Sequence, residues 1–99
     1  MTAEFHPLAG QELTEASQFY ESRAVGLGAD FLDHVEGLVG LLTQLPDLGR
    51  SHGEGIRSFP TRRFPYSLVY QVLGDRLYVL AVAHQRRKPR YWTGRAGSL

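Results

Sequence analysis

The residues best suited to chemistry lie near the C-terminal end of the chain, where an apolar run meets a cluster of charges. Residues 77–83 are hydrophobic throughout and are followed by His84. The cluster that comes next consists of Arg86, Arg87, Lys88, Arg90, Tyr91 and Trp92. Arginine carries planar donors that fit phosphate oxygens, and tyrosine and tryptophan carry faces on which a nucleobase can stack. The pattern predicts a buried strand that ends in a binding surface.

The charges of the chain are divided unequally between its two halves. Residues 1–50 hold two arginines against eight acidic residues, a net charge of −6, whereas residues 51–99 hold nine cations against two acids, a net charge of +7. This division favours a basic face aimed at an anionic partner. The alternative is that the two halves only pack against each other with complementary charge.

Composition excludes several classes of site. The chain of 99 residues has no cysteine, so disulfides, thiolate zinc sites and a cysteine nucleophile are excluded. The four histidines lie at no ligand-like spacing, and we predict neither a metal site nor a cofactor. No apolar run approaches the roughly 20 residues that span a bilayer, and the first residues do not resemble a signal peptide. We therefore expect a cytoplasmic protein, without a membrane partner, that forms one domain over residues 1–99.

The first half of the chain predicts a short strand and a helical hairpin. The strand is expected over residues 2–6. A first helix is expected over residues 8–24, where apolar residues recur at helical spacing and Glu12, like two later glutamates, is turned outward. A glycine-rich break leads to a second helix over residues 29–45, which Pro46 ends. Each helix has one apolar face, so the two are expected to pack on a common core.

The second half changes to the period of two that is typical of strands. After a loop over residues 46–55, strands are expected over residues 56–59, 66–72 and 77–83. The last of these is apolar on both faces, as a central strand should be. The predicted fold class is α+β, with an N-terminal strand and a helical hairpin packed on one face of a small antiparallel β-sheet. From Thr93 onward the chain is expected to form a frayed tail.

Several short motifs follow one another along the chain. They are Phe19-Tyr20, Gly26 to Gly28, Leu45-Pro46, Arg57, Phe64 to Tyr70, Val82 to His84, Arg86-Arg87 and Tyr91-Trp92. In this order and spacing, over about residues 3–95, the chain resembles the RelE/ParE toxins of bacterial type II toxin–antitoxin modules. The resemblance implies a small toxin that forms a hetero-oligomer with a cognate antitoxin.

Members of that family act either as ribosome-dependent mRNA endonucleases or as inhibitors of DNA gyrase. The ribonuclease branch uses lysines and arginines on the middle strands, with an arginine and a tyrosine near the C-terminus that Arg87 and Tyr91 match. This chain departs from the rest of the pattern. Ser67 stands where that branch has an arginine, and the only lysine is Lys88. The departures favour the ParE-like, plasmid-stabilisation branch.

The preferred prediction is thus a ParE-like toxin that poisons a nucleic-acid-processing target such as DNA gyrase. The predicted target-binding residues are Arg62, Arg63, Arg86, Arg87, Lys88, Arg90 and Trp92. The alternatives are a metal-independent endoribonuclease that acts on ribosome-bound mRNA and a degenerate, non-toxic binding module. The endoribonuclease would use Arg57, His84, Arg87 and Tyr91, because the reaction needs a base, cations for the phosphate and an acid.

Some of these side chains also have a structural interpretation. A histidine at a strand end, such as His84, commonly serves as a hydrogen-bonded structural residue. Trp92 taken alone is expected to pack over the sheet edge or the helical hairpin. Tyr66 and Tyr70 lie two residues apart on one strand face, and both are expected in the core.

Overall fold

A helical hairpin covers one face of a five-stranded sheet in the computed structural model, which describes residues 1–97. The helices are α1 (Pro7–Arg23) and α2 (Leu27–Gln44), and the strands are β1 (Thr2–Phe5), β2 (Arg50–Ser51), β3 (Ile56–Pro60), β4 (Tyr66–Leu73) and β5 (Arg76–His84). Short 3₁₀ turns lie at Pro46–Leu48 and Thr93–Arg95. The α+β fold class predicted from the sequence is confirmed, with each predicted helix and strand present within a few residues of its expected bounds.

The strands follow the order β1-β5-β4-β3-β2 across the sheet. Strands β2 to β5 pair with one another in antiparallel fashion, whereas β1 runs parallel to β5, so the sheet is mixed. Strand β5 therefore has a neighbour on each side, in agreement with its apolar composition. Strand β2 lies within the segment 46–55, for which the sequence predicts a loop. Two residues are too few to show the period of two by which a strand is recognised.

The turn between the two helices is held by Glu21 and two glycines. Glu21 is exposed, as the sequence predicts. Its carboxylate accepts hydrogen bonds from the N–H groups of Gly26 at 2.9 Å and Gly28 at 3.0 Å, which have no partner within α2. Gly26 has a φ of +87°, which favours glycine. A Cβ on Gly28 would lie 2.5 Å from the carbonyl oxygen of Ser17, so the close approach of the helices requires glycine there.

The sheet separates two apolar clusters. The hairpin-side cluster lies between the helices and the sheet and includes the buried residues Ala9, Ala16, Phe31, Val35, Leu42, Phe64, Leu68, Tyr70, Leu77, Val79 and Val82. The far-side cluster lies on the opposite face and consists of Ile56, Val69, Tyr78, Leu80, Ala81, Ala83 and Trp92. The predicted core positions of Tyr66 and Tyr70 are confirmed, since Tyr70 is buried and Tyr66 packs against the same cluster.

A β-bulge in β5 changes which side chains face each cluster. Tyr70 pairs with Val79 and Val69 pairs with Ala81, so Leu80 is an extra residue without a partner on β4. An extra residue reverses the alternation of side chains along a strand. Leu80 and Ala81 therefore both contribute to the far-side cluster, and Val82 turns back to the hairpin side.

Candidate functional site

The C-terminal segment, defined here as residues 85–97, folds over the sheet face opposite to the hairpin. Trp92 is 5% exposed and belongs to the far-side cluster, against which Ala96 also packs. The N–H group of Gly97 donates to Oε1 of Gln71 at 2.7 Å. The frayed tail predicted from Thr93 onward is wrong for residues 93–97, because these contacts fix them. The last two residues of that prediction, 98 and 99, lie outside the described residues.

A groove of about 350 Å³ runs between the C-terminal segment and strands β3 to β5. Four cations line it, namely Arg50, Arg87, Lys88 and Arg90, together with the hydroxyl-bearing residues Ser58 and Ser67. We call this space the basic groove. Cations and hydroxyl groups are the donors that anionic oxygens accept, so the groove is suited to an anionic group of a partner.

His52 also lines the basic groove, and the positive charges of the groove affect its pKa. Burial lowers the pKa of His52, and the positive charges of Arg50 and Arg90 lower it further. A hydrogen bond of 2.7 Å joins Nε2 of His52 to the hydroxyl of Ser58. The ring also meets Trp92 edge-on, with centroids 5.5 Å apart. The neutral form of His52 is therefore favoured in a positive field that the arginines create.

The structure brings together three of the four predicted nuclease residues. His84, Arg87 and Tyr91 all line the basic groove, whereas Arg57 is not part of its lining. The partner of Arg57 on β4 is Tyr70, which belongs to the hairpin-side cluster. The Arg57 guanidinium donates to the carbonyl oxygen of Gly49 at 2.8 Å. Arg57 thus fixes the turn before β2 on the opposite face of the sheet.

Tyr91 is held by Glu12 of α1. Its hydroxyl donates to Oε2 of Glu12 at 2.9 Å. Burial raises the pKa of Tyr91, and the hydrogen bond to Glu12 and the negative charge of Glu12 raise it further, against the opposing charges of Arg87 and Arg95. The guanidinium of Arg87 lies over the ring, with Cζ 3.9 Å from the centroid. The phenol therefore keeps its proton and directs it at a carboxylate.

His84 has the structural role that was weighed against catalysis. Its Nδ1 accepts a hydrogen bond of 3.0 Å from the N–H group of Arg86, and its ring meets Tyr66 edge-on with centroids 5.0 Å apart. Because Nδ1 acts as an acceptor, the neutral ring carries its proton on Nε2. A base that acted through Nε2 would require the other tautomer and the loss of this hydrogen bond.

The predicted target-binding cations are spread over one end of the sheet. Arg87, Lys88 and Arg90 line the basic groove. Arg62 and Arg63 lie in the loop between β3 and β4, which reaches the same end because the N–H group of residue 85 donates to the carbonyl oxygen of residue 65 at 2.9 Å. Arg63 pairs with an aspartate of α2 at 3.5 Å, and Arg62 lines a separate groove beside that helix. Arg86 is exposed in the turn after β5.

Trp92 is the predicted target-binding residue with the least accessible side chain. The packing interpretation describes it correctly, although it packs on the far face of the sheet and not over the hairpin. The indole edge contacts His52 and the Arg90 guanidinium lies 5.4 Å from its centroid. A buried indole has no free face for stacking on a base, so its contribution to binding would come through the residues that it supports.

Sequence reasoning missed several residues of the site. Glu12 was expected to point outward, and this is wrong because its side chain lies against β5 and is 14% exposed. A signal was present, since Ala9, Glu12 and Ala16 share the helical spacing of the buried face of α1. Arg50 and His52 were missed because they belong to the segment that was interpreted as a loop.

Residues 1–97 contain neither a cluster of metal-ligating side chains nor a helix that could cross a membrane. No group of three or more His, Asp or Glu side chains in this range is arranged to hold a metal ion. Over the same range, no helix has the length and the apolar character needed to cross a membrane.

Comparison with known proteins links the chain to one family. The family model described as the ParE toxin of the type II toxin–antitoxin system parDE matches residues 3–89. Among solved structures, the chain is similar to a protein of the chromosomal ParDE TA system from P. aeruginosa. That match has a TM-score of 0.61 and 22% sequence identity, and it covers 85% of this chain and 95% of that chain. At this identity the likeness shows a shared fold. Curated protein sequences give no match.

Proposed function

The chain belongs to the ParE toxin family of type II toxin–antitoxin modules, and from this premise we propose that it poisons a nucleic-acid-processing target such as DNA gyrase and is neutralised by a cognate antitoxin. The observation that carries the proposal is the basic groove. It places four cations beside hydroxyl groups on a sheet face that is covered by an irregular segment. A positive surface of this kind accelerates encounter with an acidic partner and fixes its orientation.

The proposed antitoxin contact is the apolar surface along α2 and the turn that follows it. The partly exposed leucines of this surface are Leu41, Leu45 and Leu48. An amphipathic segment buries its apolar face against such a surface, which provides the affinity. The similar solved structure comes from a ParDE toxin–antitoxin system, which supports an antitoxin as the partner of this chain.

A metal-independent ribonuclease is the second candidate, because His84, Arg87 and Tyr91 line one groove. Three features weigh against it. The guanidinium of Arg57 is engaged on the other face of the sheet, the phenol of Tyr91 is engaged by a carboxylate, and Nδ1 of His84 is engaged by a backbone N–H group. A cation that binds the target without chemistry fits these contacts better than an acid or a base does.

The test combines two assays on the parent chain with variants of the groove. The protein is purified with its antitoxin, separated from it, and added to a gyrase supercoiling reaction and to ribosomes programmed with mRNA. We expect inhibition of supercoiling and no mRNA cleavage. Arg87→Ala and Arg90→Ala should each weaken inhibition by several-fold, because an exposed ion pair contributes about 1 kcal/mol or less. The loss should shrink at high salt, where exposed charges are screened.

The matched control is Arg76→Ala, a cation at the opposite end of β5 that pairs with Glu4 at 3.4 Å. It should inhibit supercoiling as the parent does. Ribosome-dependent cleavage that Arg87→Ala or Tyr91→Phe reduces by roughly 10²–10³-fold would establish the ribonuclease instead. Growth that is indifferent to expression of the free chain, with neither activity in vitro, would establish the non-toxic binding module.

A further inference from the structure

The edge of β5 is paired with β1 only along part of its length. Strand β1 reaches Phe5, which lies opposite Val79, and β5 then continues to His84. Within residues 1–97, no strand pairs with that edge beyond Val79. Two backbone groups of this edge are bonded by side chains. The N–H group of Val82 donates to Oε1 of Glu12 at 3.0 Å, and the carbonyl oxygen of Leu80 accepts from Nη1 of the Arg95 side chain at 3.0 Å.

The two side chains that complete this edge also bind each other. Nη1 of Arg95 donates to Oε1 of Glu12 at 2.9 Å, and Nη2 donates to Oε2 at 3.0 Å. The side chains are 13% and 14% exposed, so solvent and salt screen the pair weakly. A bidentate arginine–carboxylate pair fixes the relative orientation of its two planes. The pair therefore attaches the C-terminal segment to both α1 and β5 in one defined position.

The carboxylate of Glu12 also contacts Tyr91 and lies close to Arg87, a cation of the basic groove. Oε2 of Glu12 accepts the hydroxyl of Tyr91, whose ring carries the Arg87 guanidinium 3.9 Å from its centroid. Nη1 of Arg87 itself lies 4.0 Å from Oε2. The residues between β5 and Tyr91 are thus held at both ends, by the strand on one side and by Glu12 on the other. Arg87, Lys88 and Arg90 lie within this span.

We propose that Glu12 is a positioning residue for target binding, which holds the C-terminal segment through Tyr91 and Arg95 so that the three cations of this segment face the basic groove. That the basic groove binds a target rests on the proposed function, whereas the positioning of the C-terminal segment by Glu12 does not. Arg50, the fourth cation of the groove, lies on β2 and is placed by the turn that Arg57 fixes. Loss of Glu12 should therefore displace three of the four cations and leave the fourth.

Trp92 provides a direct measurement of this positioning, because it is the only tryptophan of the chain and lies inside the C-terminal segment. In the full chain, Glu12→Gln should shift the emission of Trp92 to longer wavelength and increase its quenching by acrylamide. Far-UV circular dichroism should keep the helical signal, since the hairpin-side cluster is untouched. Glu15→Gln, a change of an exposed glutamate one turn later in α1, should leave the emission as it is in the parent.

A second variant keeps the test valid if Glu12→Gln does not fold. Arg95→Lys retains the charge and removes the bidentate geometry, so it should produce a smaller shift of the same sign. The double variant should shift the emission no further than Glu12→Gln alone, because both changes break one connection. Trp92 emission that stays at the parent value in Glu12→Gln and in Arg95→Lys would overturn the proposal.

Target binding separates this proposal from the function on which it rests. Glu12→Gln should bind the target more weakly by on the order of tenfold, since a mobile segment loses entropy on binding that a positioned one has already lost. If the parent chain binds neither gyrase nor ribosomes, the proposed function fails, while the change in Trp92 emission still establishes the positioning. Weaker binding without a change in Trp92 emission would show that Glu12 acts on the target directly, and this too would overturn the proposal.

Discussion

The two faces of the sheet are covered in different ways. On the hairpin side, α1 and α2 lay a continuous apolar surface on the strands and bury large side chains such as Phe31 and Leu42 completely. On the far side, the covering element is the C-terminal segment, which is held by Trp92 and by the carboxylate of Glu12. An irregular segment covers less area than two helices, so the far face retains an open groove with charges around it. The comparison shows one face that stabilises the fold and another that presents cations.

The largest expected effect is on the hairpin side and comes from Leu42→Asp. Leu42 is fully buried, so this change places an unpaired carboxylate in an apolar cluster and removes apolar contacts. Large-to-small changes at such positions alone cost about 2–5 kcal/mol of unfolding free energy, and a buried charge adds to that. We expect the variant to lose its cooperative thermal transition.

The matched control is Leu41→Asp, at the neighbouring residue, which is 39% exposed. Its free energy of unfolding should stay within about 1 kcal/mol of that of the parent. Similar losses in both variants would show that the two sides of α2 do not differ as the structure has them. Leu41→Asp also lies on the proposed antitoxin surface, so it should weaken the complex with the antitoxin while leaving the toxin folded.

A smaller effect is expected on the far side at alkaline pH. The pKa of Tyr91 is raised above the ordinary value of 10, first by burial and then by Glu12. A raised pKa in the folded state means that the protonated phenol stabilises the fold. This contribution is complete below pH 10 and is lost as the pH rises toward the folded pKa.

The measurement is denaturant unfolding of the parent and of Tyr91→Phe at pH 8 and at pH 11. Between these values the parent should lose more unfolding free energy than the variant, which has no proton to lose at this position. Equal losses in the two proteins would show that the pKa of Tyr91 is not raised in the folded state. The other tyrosines are common to both proteins and cancel in the comparison.

The smallest effect is expected at His52, in the field of the basic groove. Its pKa is lowered first by burial and then by Arg50 and Arg90, so Arg90→Gln should raise the pKa of His52 toward the ordinary value. Titration of the ring signals by NMR measures this change. The matched control is Arg76→Gln at the opposite end of β5, which should leave the titration of His52 as in the parent. A pKa of His52 that is the same in Arg90→Gln as in the parent would show that the charge of Arg90 does not contribute to it.

The fold was largely predictable because its signals are local. The helices and the longer strands each repeat their pattern several times, and Pro46 and the glycine-rich break mark their ends. Two features of the sheet, strand β2 and the pairing of β1, left no such signal. The two residues of β2 are too few to show a period, and the parallel pairing of β1 with β5 joins segments that are more than 70 residues apart.

The site was predictable only in part, because its contacts join residues that are far apart in the sequence. The sequence by itself determined the cluster of cations after β5, the missing lysines and Ser67, because residue types and their spacing are properties of the chain. Tertiary structure decided that Glu12 faces inward, that Arg57 lies on the other face of the sheet, and that Arg50 joins the cations of the C-terminal segment. A carboxylate on a helix is equally compatible with solvent and with a buried arginine. Its position is set by the free energy of a contact with Arg95, and that partner meets it only when the chain is folded.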